Sequence, residues 1–295
     1  MRTVKIVTDS CSDLPKALRD RFNIDYLQMN TVKDGVETKA SLDWEYYSPK
    51  ELYDTIRDGN RVTTTQVPAP EFEKHFREWA KEGFDIVYIA CSGKLSGSVN
   101  TGKVVADQIM QEVPEAKIFS VDSLNACCGE GLVAIRAAEF RDEGLSAEEI
   151  VKKLEPIRNN VNQYVTVHNL KALKAAGRVT ASSAFFGNLL GVKPILISDK
   201  EGYNVAIKKV KGRFNSIQEL VDLTAESIEN PDGQIVMVVH SDCEDEAKEL
   251  AKLLEEKIPG IEVCIGYIGP IIGASIGADA LGVFSWGKNV DRFTV

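Results

Sequence analysis

The sequence predicts an α/β protein of two domains. The first, residues 1–160, is expected to be a three-layer α/β/α unit on a parallel sheet; the second, residues 161–295, a two-layer unit on a mixed sheet covered by helices. Three observations carry this. In the first half, short apolar runs ending in Asp, Ser or Thr alternate with amphipathic stretches of helical period, as repeated βα units require. Past residue 160 a hairpin signal, Asp199-Lys200-Glu201-Gly202, sits between two apolar runs and implies antiparallel pairing. The chain of 295 residues, 44% hydrophobic and 27% charged, is long enough and apolar enough for two cores.

Taken in order, Val4–Thr8 reads as a strand that ends at Asp9-Ser10, followed by a helix from Pro15 to Arg21. Ile24–Val32 is a second strand, and Lys33-Asp34-Gly35 turns the chain into a short returning one. Ser48-Pro49-Lys50-Glu51 is a capping box with proline at the first helical position, opening a helix to Arg57. Arg61–Thr65 reads as strand, Pro70–Lys81 as helix and Asp85–Ile89 as a buried strand. The loop Ala90–Ser98 then leads into a helix over Val99–Met110, followed by a strand at Lys117–Val121 and a small-residue helix from Leu124 to about Arg141. Ser146…Glu149 caps a helix to about Arg158. In the second half strands are expected at Tyr164–Val167, Lys193–Ser198, Tyr203–Val210, Gln234–His240, Glu262–Ile268 and Ala280–Trp286, with a short helix at Leu170–Ala176. Ser216…Glu219 and Ser241…Glu244 read as two further capping boxes opening long helices.

A parallel sheet places ligands outside the carboxyl ends of its strands. Asp9-Ser10, Thr64-Thr65-Gln66, Ser92–Ser98 and Asp122-Ser123 each follow a predicted strand, so all four should line one edge. The Gly/Ser loop before a helix N-terminus suits a small anion, phosphate or carboxylate, although Lys94 does not match the Walker lysine. Singly, each of these groups is commonly turn and cap chemistry; together they favour a site.

Other classes are excluded by what the sequence lacks. A net charge of −9 argues against nucleic acid as the main partner. No window approaches a membrane span, and the chain is read as cytoplasmic and without a signal peptide. The six cysteines show no metal-finger spacing and read as buried thiols, and vicinal Cys127-Cys128 is better explained by packing than by redox chemistry. The three histidines stand alone, no metal site or cofactor is expected, and no nucleophile–base pair is visible. Asp9 and Asp13 on one loop fit Mg²⁺ or an acyl phosphate, but helix capping is the commoner use.

The order and spacing of Ile6-Val7-Thr8-Asp9-Ser10, Thr64-Thr65-Gln66, Leu95-Ser96-Gly97-Ser98 and Val121-Asp122-Ser123 resemble the DegV family of bacterial lipid-binding proteins. The likeness continues through Leu173…Gly177-Arg178-Val179, Lys193-Pro194-Ile195-Leu196, Gly212-Arg213 and Gly269-Pro270. It implies a DegV-like fold with a fatty acid between two domains, its tail in the second and its carboxylate at the interface. The carboxylate contacts so implied are Thr64, Thr65, Ser96, Gly97 and Ser98. Where the family has histidine, threonine, glycine and proline, this chain has Ser275-Ile276-Gly277-Ala278, which puts Ser275 in the place of the histidine. Candidate tail residues are Phe185, Phe186, Leu189, Leu190, Ile195 and Leu196. Arg178 is implied as a docking residue for a separate fatty acid kinase subunit.

The function expected from the resemblance is that of a non-catalytic carrier, presenting an acyl carboxylate to an ATP-dependent kinase, with room for transient membrane contact. The alternatives are an enzyme acting on a small phosphorylated or carboxylated substrate at the same edge, or a lipid-sensing regulator. A 16-carbon tail buried at about 0.8 kcal/mol per methylene gains roughly 11 kcal/mol before ordering costs of several kcal/mol. Each hydroxyl bond to a carboxylate contributes about 1.5–3 kcal/mol. The tail is therefore expected to set affinity and the head contacts to set orientation.

Overall fold

The computed structural model describes residues 2–180 and 191–292. The four-stranded sheet comprises β1 (Thr3–Asp9), β2 (Ile24–Leu27), β6 (Phe84–Ala90) and β7 (Ile118–Asp122), in the order β2-β1-β6-β7. Every neighbouring pair is parallel. Successive residues of β6 point to opposite faces: Ile86 and Tyr88 pack with α3 (Ala69–Lys81) and α4 (Ser98–Glu112), Val87 and Ile89 with α5 (Cys128–Asp142) and α6 (Ala147–Leu154). Both helical layers are present, as the sequence predicts. Between α1 (Lys16–Phe22) and α2 (Pro49–Arg57) run β3 (Asn30–Lys33) and β4 (Val36–Lys39), the expected hairpin.

Two strands of the first half differ from expectation. The run Ile24–Val32 is broken at Gln28-Met29 into β2 and β3, which belong to different sheets. The strand expected over Arg61–Thr65 is only β5 (Thr63–Thr65), and it pairs antiparallel with β3 rather than joining the parallel sheet. A short polar strand carries no mark of its partner, and the register is settled by β3.

The six-stranded sheet is made by β8 (Val161–Thr166), β9 (Val192–Ser198), β10 (Asn204–Lys211), β11 (Ile235–His240), β12 (Glu262–Tyr267) and β13 (Leu281–Trp286), in the order β10-β9-β8-β13-β11-β12. Only β11 and β12 pair parallel, so the sheet is mixed, as expected. The turn at Asp199 is fixed by its carboxylate, which accepts from the N–H groups of Glu201 and Tyr203, each at 2.9 Å. Helices α8 (Arg213–Ser227) and α9 (Glu244–Lys257) cover the outer face through Ile217, Leu220 and Leu250. Among the described residues two further α-helices are α7 (Lys171–Ala176) and α10 (Pro270–Ile276).

The capping boxes at Ser48 and Ser146 form with both reciprocal bonds. Those expected at Ser216 and Ser241 do not. Helix α8 begins earlier, after Gly212 with φ 86°, and Ser216 lies inside it with its hydroxyl on Arg213 O at 2.7 Å. Ser241 Oγ instead accepts from Ala280 N at 2.6 Å and ties two loops together.

Helix α5 joins the two halves. Ten of its residues are buried, from Cys128 through Ala138 with Arg136 excepted, so its first three turns are enclosed on nearly every side. One side packs on β1 and β6, the other on β8 and β13 of the mixed sheet. A single apolar cluster therefore runs from Ile6 through Leu132 to Val165, Met237 and Phe284.

Candidate functional site

Beside α5, where the loops after β1, β5 and β6 meet the inner face of the mixed sheet, lies a cavity of about 180 Å³. An apolar cavity of roughly 150 Å³ already suffices to hold benzene. Its apolar wall is Val165, Leu196, Val239 and Phe284 from the mixed sheet, with Ile268, Ile271 and Ile272 around the start of α10. Its polar end is Thr64, Thr65, Gln66, Ser96 and Ser275. A second cavity of about 280 Å³ lies outward, between α2, α7 and α10; the two share Thr64, Arg178 and Ser275. Arg61 also lines the outer one.

The polar end is built by short-range geometry. Gly97 caps α4 without a side chain, and a Cβ there would collide with the Gln66 amide oxygen. Ser96 Oγ lies 3.1 Å from Ser98 Oγ and accepts from Ser98 N at 3.3 Å. Ser98 is fully buried and its Oγ accepts from Val67 N at 3.2 Å, which fastens the β5–α3 loop to the head of α4. Thr65 Oγ1 is shielded from solvent and has no hydrogen-bond partner among the described residues. A buried hydroxyl left this way costs free energy until an acceptor arrives. Ser275, in the last turn of α10, donates to Ile271 O at 3.3 Å and lines both cavities.

Of the residues singled out from the sequence, Thr64, Thr65, Ser96, Gly97, Ser275, Leu196 and Arg178 border the cavity. Ser98 stands behind it as a support. Ile195, next to Leu196 on β9, points to the opposite face and packs with Ile217 and Leu220 under α8, so the cavity excludes it. Phe185, Phe186, Leu189 and Leu190 lie outside the described residues. Asp122 and Ser123 serve as turn chemistry: Asp122 accepts from Gly93 N at 3.2 Å and Leu124 N at 2.8 Å, and Ser123 Oγ donates to Asn125 O at 3.1 Å. Arg178 is exposed; its Nε donates to Leu95 O at 3.1 Å, linking the end of α7 to the loop that carries Ser96. On that same loop Ser92 donates to Gly202 O at 2.8 Å, in the β9–β10 hairpin.

Beneath the cavity Asp9 and Asp13, singled out from the sequence, belong to a buried acidic network whose third member, Glu130, the sequence reading missed. Asp9 accepts from Tyr88 Oη at 2.5 Å, Cys11 N at 2.8 Å and Cys91 N at 3.4 Å. Burial pushes its carboxyl up to about 6 despite these bonds. Glu130, wholly buried in α5, accepts from Thr8 Oγ1 at 2.5 Å and Asp9 N at 3.3 Å; burial, and then Asp9, raises its carboxyl well above the ordinary range. Asp13 is buried beside the Cys127 thiol and the Gly269 backbone, and burial pushes its carboxyl up to about 8 although both neighbours act to lower it. The signal for Glu130 was present: a lone carboxylate in the small-residue run Cys127-Cys128-Gly129-Glu130-Gly131 cannot face solvent on one side only. Among the described residues none of the histidines borders the cavity, and burial lowers both His168 and His240.

Among the described residues no helix is long and apolar enough to cross a membrane. A DegV domain-containing protein of Clostridium perfringens is 36% identical to this chain over 287 residues, 97% of this chain and 98% of that one. The fold is that of a DegV family protein from Thermus thermophilus described for its fatty acid binding, with a TM-score of 0.86 at 29% identity, covering 98% of this chain and 100% of that one. DegV of Bacillus subtilis, described as a fatty acid binding protein, superposes with a TM-score of 0.83 at 28% identity, covering 98% and 100%. The family profile "Uncharacterised protein, DegV family" matches residues 3–288, and the chain belongs to that family.

Proposed function

We propose that this protein binds a long-chain fatty acid in the inner cavity, between an N-terminal domain of residues 1–160 and a C-terminal domain of 161–295. Thr64, Thr65 and Ser96 meet the carboxylate, and Leu196, Val239 and Phe284 lie along the tail. The observation that carries the reading is Thr65 Oγ1, a shielded hydroxyl without a partner among the described residues, at the polar end of a cavity walled by aliphatic and aromatic side chains. A carboxylate is the acceptor that position lacks, and the apolar wall suits an acyl chain. The fatty acids named for the Thermus and Bacillus relatives support the same ligand class.

We further propose that the bound carboxylate is presented to a separate ATP-dependent kinase, and that the protein itself performs no chemistry. The outer cavity opens beside Thr64 and Ser275 and is flanked by Arg61 and Arg178, so a phosphoryl donor approaching there meets positive charge. Asp9, the residue that an enzymatic reading would choose, has both oxygens engaged by Tyr88, Cys11 and Cys91.

Mass spectrometry of the purified, denatured protein tests the first step: a fatty acid is expected to be released in near-equimolar amount. Protein that carries none and takes up none on incubation with oleate overturns the reading. For the second, the loaded protein, ATP and a DegV-type kinase subunit are mixed and acyl phosphate is trapped with hydroxylamine. Hydroxamate is expected only with all three, and its formation without the kinase would make this chain an enzyme.

A further inference from the structure

The floor of the inner cavity brings together three side chains that the lipid reading does not use. Cys11 follows β1 and Cys91 follows β6, neighbouring parallel strands, and both thiols border the cavity. Glu130 reaches them from α5. The two sulfurs and a Glu130 carboxylate oxygen all lie within 4.8 Å of one another. All three residues are buried, at 3%, 2% and 0% exposure. Glu130 Oε1 is occupied by Thr8 and Asp9 N, but Oε2 has no partner among the described residues.

We propose that Cys11, Cys91 and Glu130 form a zinc(II) site in the cavity floor, with the fourth coordination position open to the cavity. Two thiolates and one carboxylate are a donor set that zinc takes and that magnesium and calcium do not. Ligand distances of about 2.3 Å for sulfur and 2.0 Å for oxygen place tetrahedral donors roughly 3.5–3.8 Å apart. The existing cluster therefore needs to contract by no more than about 1.3 Å. Without metal the site carries protons. The Cys11 thiol is held above its ordinary value first by its hydrogen bond with Cys91 and then by burial, and Glu130 is raised by burial. An entering dication displaces the two thiol protons and the Glu130 proton and changes no oxidation state, so a neutral polar cluster becomes one of charge −1. The free Oε2 gains the partner it lacks. The site stands apart from the head-group hydroxyls, and the inference holds whatever ligand fills the cavity.

The test uses the full chain in a Cys243→Ser/Cys264→Ser background, which removes the two partly exposed thiols. The reduced, chelator-treated protein is titrated with Zn²⁺ alone against a chromophoric chelator, and with Co²⁺ as a spectroscopic stand-in. One equivalent is expected to bind, with proton release and with the thiolate-to-cobalt charge-transfer band and the visible bands of a tetrahedral site. Cys11→Ser and Cys91→Ser should each weaken zinc by at least ~100-fold, and Glu130→Gln by roughly 10–100-fold. Zinc should raise the melting temperature of the parent and not of these variants. Absence of one-equivalent binding, or of the cobalt–thiolate band, in the parent overturns the proposal without recourse to any variant. So does binding that both serine variants retain, which would place the metal on Cys127 and Cys128.

Discussion

On the proposed lipid reading, Thr65 and Ser275 divide the work at the polar end of the cavity. Thr65 Oγ1 has no partner among the described residues, so Thr65→Ala should remove an unsatisfied group from the empty protein and a hydrogen bond from the loaded one. Fatty acid affinity is expected to fall roughly tenfold, since one bond to a charged acceptor contributes about 1.5 kcal/mol, while the tail keeps the lipid bound. Equilibrium binding of a fluorescent acyl chain checks this. Ser275 is short and always neutral, and no described histidine borders the cavity. Affinity of the wild type should therefore change little between about pH 5.5 and 7.5, the range in which an ordinary histidine titrates. Ser275→His, with open space on two sides, should tighten binding at the lower pH and leave it near wild type at the higher one. A steep profile in the wild type would place another titrating group at the carboxylate. Asp13 gives a prediction of the opposite kind. Its folded value of about 8 lies above the ordinary 3.8, so between these the native state holds a proton that the unfolded chain has lost. Stability therefore falls as pH rises from about 4 to 8, and Asp9, at about 6, adds to the fall over the lower part of that window. Asp13→Asn removes the Asp13 share of this slope, and its melting temperature should exceed that of wild type at pH 8 by at least ~2 °C while matching it near pH 4.

At the scale of elements, α5 is both core and cavity support. Leu132, 1% exposed, belongs to the cluster shared by the two sheets. Leu132→Ala is expected to cost about 2–4 kcal/mol in denaturant unfolding and to speed lipid loss, because the cavity it opens borders the wall packed on β13. A stable variant with unchanged lipid retention would show that α5 supports the sheets independently. The elements themselves were largely legible from periodicity: β1, β6, β7, α2, α3 and the β9–β10 hairpin stand where the residue pattern places them. Pairing was legible at the hairpins and not for β5. Thr63–Thr65 is too short and too polar to announce an antiparallel partner, and Ser216 matches a capping box although Gly212 had already started the helix. The polar end was readable because its hydroxyls follow strand ends, whereas Ser275 stood out only through the family resemblance. Glu130 was marked in the sequence by its small-residue run, but its thiol neighbours became visible only once the fold brought β1, β6 and α5 together.

At the scale of the whole molecule, the apolar cluster that crosses from one sheet to the other makes ligand and fold one thermodynamic system. A ligand at one hundred times its dissociation constant adds about 2.7 kcal/mol. Delipidated protein should therefore melt roughly 5–10 °C below the loaded form, in a single transition rather than two. Two transitions, with only one responding to lipid, would mean that the halves unfold separately and the ligand belongs to one of them. The position of β13 has a further consequence. It is the last strand among the described residues, yet it lies in the middle of its sheet, hydrogen-bonded to β8 on one side and β11 on the other. Until Leu281–Trp286 has been synthesised, β8–β10 and β11–β12 are separate fragments with raw inner edges, and Phe284 is missing from the cavity wall. On the proposed lipid reading, a nascent chain on the ribosome has no complete cavity to fill, and the fatty acid is taken up only after Leu281–Trp286 has been synthesised.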